Sequence, residues 1–141
     1  MDRFKKLSHS LWDCKYHAIW ITKYRRKELY GAKRRIVVDT IKKWAQIKDI
    51  EIVEGHAMPD HIHLCLSIPP KYSVANAIGL LKGKSASEVM SFGSKSSRMV
   101  RGRTFWARGY CVSTVGMDEE TIREYIRNQE LADQIQEEFE L

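Results

Sequence analysis

The feature that most constrains this chain is one segment between two turn signals. His61-Ile62-His63-Leu64-Cys65-Leu66-Ser67-Ile68 is preceded by Pro59-Asp60 and stopped by Pro69-Pro70. Proline cannot donate to a sheet ladder, so it bounds the segment on both sides. Side chains alternate across a strand. Ile62, Leu64, Leu66 and Ile68 therefore share one face, and His61, His63, Cys65 and Ser67 the other. The aliphatic face belongs against a core, and the two imidazoles then project together from the opposite side.

The neighbouring segments supply that core. Residues 14 to 22 are aromatic and β-branched and predict a strand. From Glu28 to Asp49 the period changes: Ile36, Val37, Ile41, Trp44 and Ala45 recur at helical spacing, with Lys33, Arg34, Lys42 and Lys43 outside. Ile50 to Met58 predicts a second strand, joined to His61–Ile68 by a turn at Pro59-Asp60. Ser73 predicts a helix N-cap, with Val74, Ile78, Leu81, Val89 and Phe92 on one face. Gly93 to Gly109 has no apolar period and predicts a basic loop or exposed hairpin. Tyr110 to Val115 predicts a fourth strand, and Asp118 caps a final helix with Glu119 and Glu120 in its first turn. The order β-α-β-β-α-β plus a last helix is that of an α+β, ferredoxin-like (RNA-recognition-like) fold, an antiparallel sheet with two helices on one face.

The 141 residues suffice for one domain. Its 24 basic and 18 acidic residues are unevenly divided. Residues 118–141 hold two basic and nine acidic residues, leaving 22 basic against nine acidic in 1–117. A basic body with an acidic C-terminal arm is expected to meet a polyanion, with nucleic acid the leading candidate and a merely solvated basic surface the alternative. No apolar run reaches the length of a membrane span, and the basic N-terminus lacks the apolar stretch of a secretory signal. Three widely spaced cysteines, Cys14, Cys65 and Cys111, point to reduced thiols in the cytoplasm rather than to a disulfide frame.

Two histidines at i and i+2 of a strand can converge on one metal ion, or can simply be polar residues on its outer side. The last helix adds Ile122, Tyr125, Ile126 and Gln129 on one face, with Tyr125 and Gln129 one turn apart. A tyrosine hydroxyl is a weak nucleophile at neutral pH unless something activates it or stabilises the charge it attacks. A divalent cation on His61 and His63 would polarise a phosphodiester, and Gln129 would add an oxygen ligand beside Tyr125.

With these motifs in hand, the sequence resembles the HUH (His-hydrophobe-His) single-tyrosine transposases of small bacterial and archaeal insertion sequences. The resemblance runs over nearly the whole chain. It is carried by Lys15-Tyr16-His17, Thr22-Lys23-Tyr24-Arg25-Arg26, Met58-Pro59-Asp60-His61-Ile62-His63-Leu64, Leu80-Leu81-Lys82-Gly83, Phe105-Trp106 through Gly109-Tyr110, Thr114-Val115-Gly116, and Tyr125-Ile126 to Gln129. It implies that His61 and His63 are metal ligands with Gln129 the third, and that Tyr125 forms a 5′-phosphotyrosine link and frees a 3′-hydroxyl. It further implies Mg2+ or Mn2+, single-stranded DNA with folded ends as partner, and a homodimer in which Tyr125 of one subunit meets the histidines of the other. The helix from Asp118 would then be a movable arm.

For DNA contact, Lys95, Arg98, Arg101, Arg103 and Arg108 interleave with Phe105 and Trp106, cations beside rings that can stack on bases. The other reading of that segment is a basic loop with its two aromatics in the core. Lys82 and Lys84 are further candidates, and Arg34, Arg35, Lys42 and Lys43 would extend the patch or form a solvated helix face. A non-catalytic single-stranded nucleic-acid-binding module would instead place aromatics on the open face of its central strands, where this chain has histidines. A small metal phosphoesterase would need a second His-x-Thr/Ser motif that the chain lacks.

Overall fold

Alternating hydrophobicity in the strands and helical periodicity between them produce a four-stranded antiparallel sheet with helices on both faces. A computed structural model describes residues 4–7, 10–92, 104–114 and 116–139. Its elements are β1 (Lys5–Leu7), β2 (Ser10–Trp12), β3 (Lys15–Ile21), a tight turn at Lys23–Arg25, α1 (Gly31–Ile47), β4 (Glu51–Met58), β5 (His61–Ser67), α2 (Val74–Ser91), β6 (Cys111–Ser113) and α3 (Glu119–Phe139). The sheet order is β4-β5-β3-β6, and a separate two-stranded hairpin joins β1 to β2. This is the expected ferredoxin-like α+β arrangement, with α3 as the additional C-terminal helix.

Register decides which side chains reach which face. Ala18 lies opposite Leu64 and Trp20 opposite Ile62, while Ile19 lies opposite His63 and Ile21 opposite His61. Ala18, Trp20, Ile62, Leu64 and Leu66 are buried with Val37, Ile41 and Ala45 of α1 and Ala77, Ile78, Leu81 and Val89 of α2. Burying each large side chain of this kind contributes about 1.5–3 kcal/mol, so the helix-covered face is the main core. Ser73 caps α2 by accepting from Asn76 N–H at 3.0 Å, as predicted. Phe92, expected on the buried face of α2, is 46% exposed and lies just past the last helical residue, Ser91.

The segment after α2 departs further from the sequence reading. Phe105, Trp106 and Ala107 are buried rather than displayed on an exposed loop. The chain here extends β3 by one bridge, Thr22 to Trp106, with Lys23 N–H donating to the Phe105 carbonyl at 2.8 Å and Ala107 N–H to that of Ile21 at 2.9 Å. Trp106 meets Trp20 edge-on, with ring centroids 6.0 Å apart, and Phe105 at 4.6 Å. Its indole N–H donates to Ser85 Oγ at 3.0 Å, and Ser85 is fully buried.

Ser85→Ala is therefore expected to lower stability by about 1–3 kcal/mol in denaturant unfolding, because it leaves a buried indole N–H without an acceptor. In a Trp106→Phe background the same substitution is expected to cost less, since no orphan donor remains.

Candidate active site on the outer face of the sheet

The face away from α1 and α2 carries the chemistry. His61 and His63 both lie on it, half-buried, as the alternation of β5 requires. In the row across the sheet at His63, β4 contributes His56 and β3 contributes Ile19; one row further along, Cys65 lies between Glu54 and His17. The His63 ring lies 5.8 Å from that of His17 and 6.3 Å from that of His56. Burial, and then these two imidazoles, lower the His63 pKa, which favours the neutral ring. Among the described residues no three His, Cys, Asp or Glu side chains form a metal cage. Two imidazoles would need completion by another donor type.

His61 is held from behind. Its Nδ1 lies 2.8 Å from Asp60 Oδ1, and Asp60 Oδ2 accepts from Arg25 Nε at 2.9 Å. Burial opposes the Asp60 charge, but the hydrogen bonds from His61 and Arg25 outweigh it and keep the carboxyl below the usual carboxylate range. A carboxylate on Nδ1 fixes the imidazole tautomer and leaves Nε2 as the acceptor, the arrangement common behind metal-bound histidines.

α3 crosses the β3 end of this same face. Asp118 caps it by accepting from Thr121 N–H at 2.8 Å. Ile126 is buried with Ile21 and Ala107, and Ile122 and Tyr125 pack against that cluster. Ile21 is the cross-strand partner of His61, so Tyr125 packs on a cluster one strand away from the histidine column. The Tyr125 hydroxyl is buried and has no hydrogen-bond partner among the described residues. Burial, followed by Cys111 and Asp133, pushes its pKa up to about 12. Gln129 is half-buried one turn further along the helix.

Sequence reasoning missed the polar residues that dock α3. Asp133, 1% exposed, accepts from the Tyr24 backbone N–H at 3.1 Å through Oδ2 and from Lys23 Nζ at 3.4 Å through Oδ1. Arg25 Nη1 donates to Glu130 Oε2 at 3.2 Å. Tyr24 and Arg25 both adopt left-handed backbone, at φ 58° and 56°, a conformation that costs a non-glycine residue of order 1–3 kcal/mol. The strained turn points Tyr24 N–H at Asp133. A signal existed: Ile122, Ile126, Gln129 and Asp133 continue one helical stripe, and a carboxylate on a packed stripe requires a partner.

Several predicted DNA-binding residues have other work. Phe105 and Trp106 are core residues and are not available to stack on bases. Lys82 Nζ donates to the carbonyls of Ala107 at 3.0 Å and Gly109 at 2.7 Å, and burial lowers its pKa to about 8. It ties the 105–109 segment to α2. Lys84 is exposed, with Nζ 4.4 Å from the Trp44 ring centroid. Arg108 is exposed. Lys95, Arg98, Arg101 and Arg103 lie outside the described residues.

Residues 10–129 match the family model described as "Transposase IS200 like". The chain belongs to the IS200-like transposase family. It is 43% identical over 125 residues to the transposase for insertion sequence element IS200 of Salmonella typhimurium, covering 89% of this chain and 82% of that protein. It is 30% identical to the ISDra2 transposase TnpA of Deinococcus radiodurans, covering 89% and 90%. A crystal structure from Deinococcus radiodurans R1, assigned as a transposase, superposes with a TM-score of 0.75 at 31% identity over 89% of this chain and 97% of that one. A REP-associated tyrosine transposase bound to a REP hairpin shares the fold, with a TM-score of 0.55 at 11% identity over 85% and 67%. As an IS200-like transposase the chain is an enzyme of transposition. No helix among the described residues is long and apolar enough to cross a membrane.

The raised Tyr125 pKa has a measurable sign. An unfolded chain ionises this phenol near about 10, so the difference stabilises the folded state up to that pH and is lost as pH rises through about 12. Ultraviolet titration of the folded protein is expected to show one phenol ionising near the upper value, missing from Tyr125→Phe.

Proposed function

We propose that this transposase cleaves and rejoins single-stranded DNA at the ends of its insertion sequence through Tyr125. A divalent cation, Mg2+ or Mn2+, is held by His61, His63 and Gln129 in this reading. What supports it above all is that the β5 imidazole pair and Tyr125 of α3 occupy the same face of the sheet, in neighbouring columns. The donor set suits the cation. The Asp60 contact on His61 Nδ1 leaves Nε2 free, and His63 is biased to the neutral form that a ligand needs. When bound, the cation offsets the negative charge that develops on the scissile phosphate.

The Tyr125 oxygen attacks phosphorus and gives up its proton. The new phosphorus–oxygen bond forms a 5′-phosphotyrosine while the bond to the 3′-oxygen breaks, and that oxygen leaves protonated as a 3′-hydroxyl. Reversal of this step by another 3′-hydroxyl rejoins strands and restores the tyrosine, so bond energy is conserved without a nucleotide cofactor.

Residues 118–141 act as a movable arm on a basic body formed by 1–117, and the enzyme works as a homodimer in which Tyr125 of one subunit serves the histidines of the other. The sparse burial of α3 supports the movable arm. Among its described side chains, Ile126 and Asp133 are buried, whereas α1 and α2 each bury several apolar residues. In the docked position Tyr125 is an unpartnered, neutral phenol, unsuited to attack until it meets a new environment. Hairpin-containing DNA ends are the expected partner, and a fold relative bound to a REP hairpin is consistent with that.

Incubating the protein with a single-stranded element end and Mg2+ is expected to give a covalent protein–DNA adduct on a denaturing gel. Tyr125→Phe should abolish the adduct while DNA binding persists. An adduct surviving in that variant would overturn the assignment and direct attention to Tyr24 or Tyr110. His61→Ala and His63→Ala are each expected to remove most cleavage while changing stability by no more than about 1 kcal/mol.

A further inference from the structure

The sharpest unexplained feature is the path of hydrogen bonds running from α3 to β5. Glu130 Oε2 accepts from Arg25 Nη1, Arg25 Nε donates to Asp60 Oδ2, and Asp60 Oδ1 meets His61 Nδ1. One guanidinium therefore spans the arm and the residue behind the first histidine. Its planar fork donates from two nitrogens in fixed directions, which a lysine ammonium cannot reproduce. The backbone is committed to this use, since Arg25 is held at φ 56° next to Tyr24 at φ 58°, and Tyr24 N–H is bonded to Asp133 of the same arm. Thr22 reinforces the turn from below, with Oγ1 donating to the Arg26 carbonyl at 2.6 Å and its N–H to that of Asp60 at 3.0 Å. The arm, the strained turn and the Pro59-Asp60 turn are thus one connected unit.

We propose that Arg25 is a positioning residue: through Asp60 it fixes the His61 imidazole as the Nδ1-protonated tautomer with Nε2 open, and Glu130 of α3 holds Arg25 in place to do so. This rests on the reading of His61 as a cation ligand. Without Arg25, Asp60 loses one of the two hydrogen bonds that orient its carboxylate, and the imidazole loses a fixed acceptor at Nδ1. Glu130 acts only through Arg25. Orientation of a ligand on β5 is then linked to whether α3 is docked.

The tautomer is read directly in the metal-free protein from 15N chemical shifts of labelled histidine, well above the histidine titration range. Wild type is expected to show His61 protonated at Nδ1, and Arg25→Ala a mixture of tautomers. Mn2+ added alone, followed by calorimetry, should bind about tenfold more weakly to Arg25→Ala, the usual scale for losing a partner behind a ligand. Glu130→Gln should give a smaller loss, and the double variant should match Arg25→Ala, because Glu130 has no separate route to His61. If Arg25→Ala lowers the melting temperature, Arg25→Gln keeps a polar side chain at the strained position and is read in the same way. Unchanged tautomer and Mn2+ affinity in a folded Arg25 variant overturn the proposal, as does a Glu130→Gln effect that adds in full to that of Arg25→Ala. Wild-type protein that binds no Mn2+ overturns the ligand reading itself, and is distinguished from the first failure because no variant is needed to see it.

Discussion

The two-sidedness of β5 governs the rest of the molecule. Ile62, Leu64 and Leu66 are buried under α1 and α2, and each contributes about 1.5–3 kcal/mol to the fold. Slipping the register by one residue would expose all three and bury the imidazoles. The same packing that stabilises the domain therefore fixes the direction of His61 and His63. Pairing on both sides, with β4 and with β3, leaves the strand no room to adjust. The one irregularity, between Ile52 and Glu54 of β4, falls at the opposite end of the strand from His61.

The arm is organised on the opposite principle. α3 covers Ile21 and Ala107 with a small apolar cluster and otherwise depends on carboxylates reaching the Lys23–Arg25 turn. The Arg25–Glu130 pair is substantially exposed, and pairs of that kind contribute about 0.2–1 kcal/mol. Asp133 is different, because a buried carboxylate must keep its partners or the helix cannot stay docked. A conformation that strains two consecutive residues to satisfy one carboxylate is specific yet shallow. Such a contact gives the helix one defined resting place.

Much of this was legible in the sequence because it rests on period. Strands β3, β4 and β5, helices α1 and α2, the Ser73 and Asp118 caps and the facing of both histidines follow from alternation, helical spacing and turn residues. What escaped lacks a period. Phe105 and Trp106 are two isolated rings in a basic, glycine-containing stretch, and only the long-range bridge to Thr22 draws them inward. Left-handed backbone at Tyr24 and Arg25 carries no glycine or asparagine to announce it. The short β1–β2 hairpin is three residues a side, too brief to show alternation. Pro59-Asp60 predicts a turn, which is present, but nothing in the sequence signals that the Asp60 carboxylate also engages His61 and Arg25.

Charge illustrates how far counting can go. The division into a basic body and an acidic arm suggested a polyanion partner, but part of that division closes within the fold. Lys23 meets Asp133 and Arg25 meets Glu130, each a cation of the body paired with a carboxylate of α3. Lys82 is occupied by two carbonyls and Lys84 lies over an indole. The basic surface left open among the described residues is therefore narrower than the composition implies: Arg35, Lys42 and Lys43 of α1 and Arg108 beyond α2 are exposed, while Arg34 donates through Nε to the Ala57 carbonyl at 3.3 Å. Phosphate neutralisation is local, one cation to one charge, and depends on which ammonium and guanidinium groups face outward rather than on their sum. The arm's charge is thus explained twice over, by its solvent-facing carboxylates and by the two that reach back to hold it.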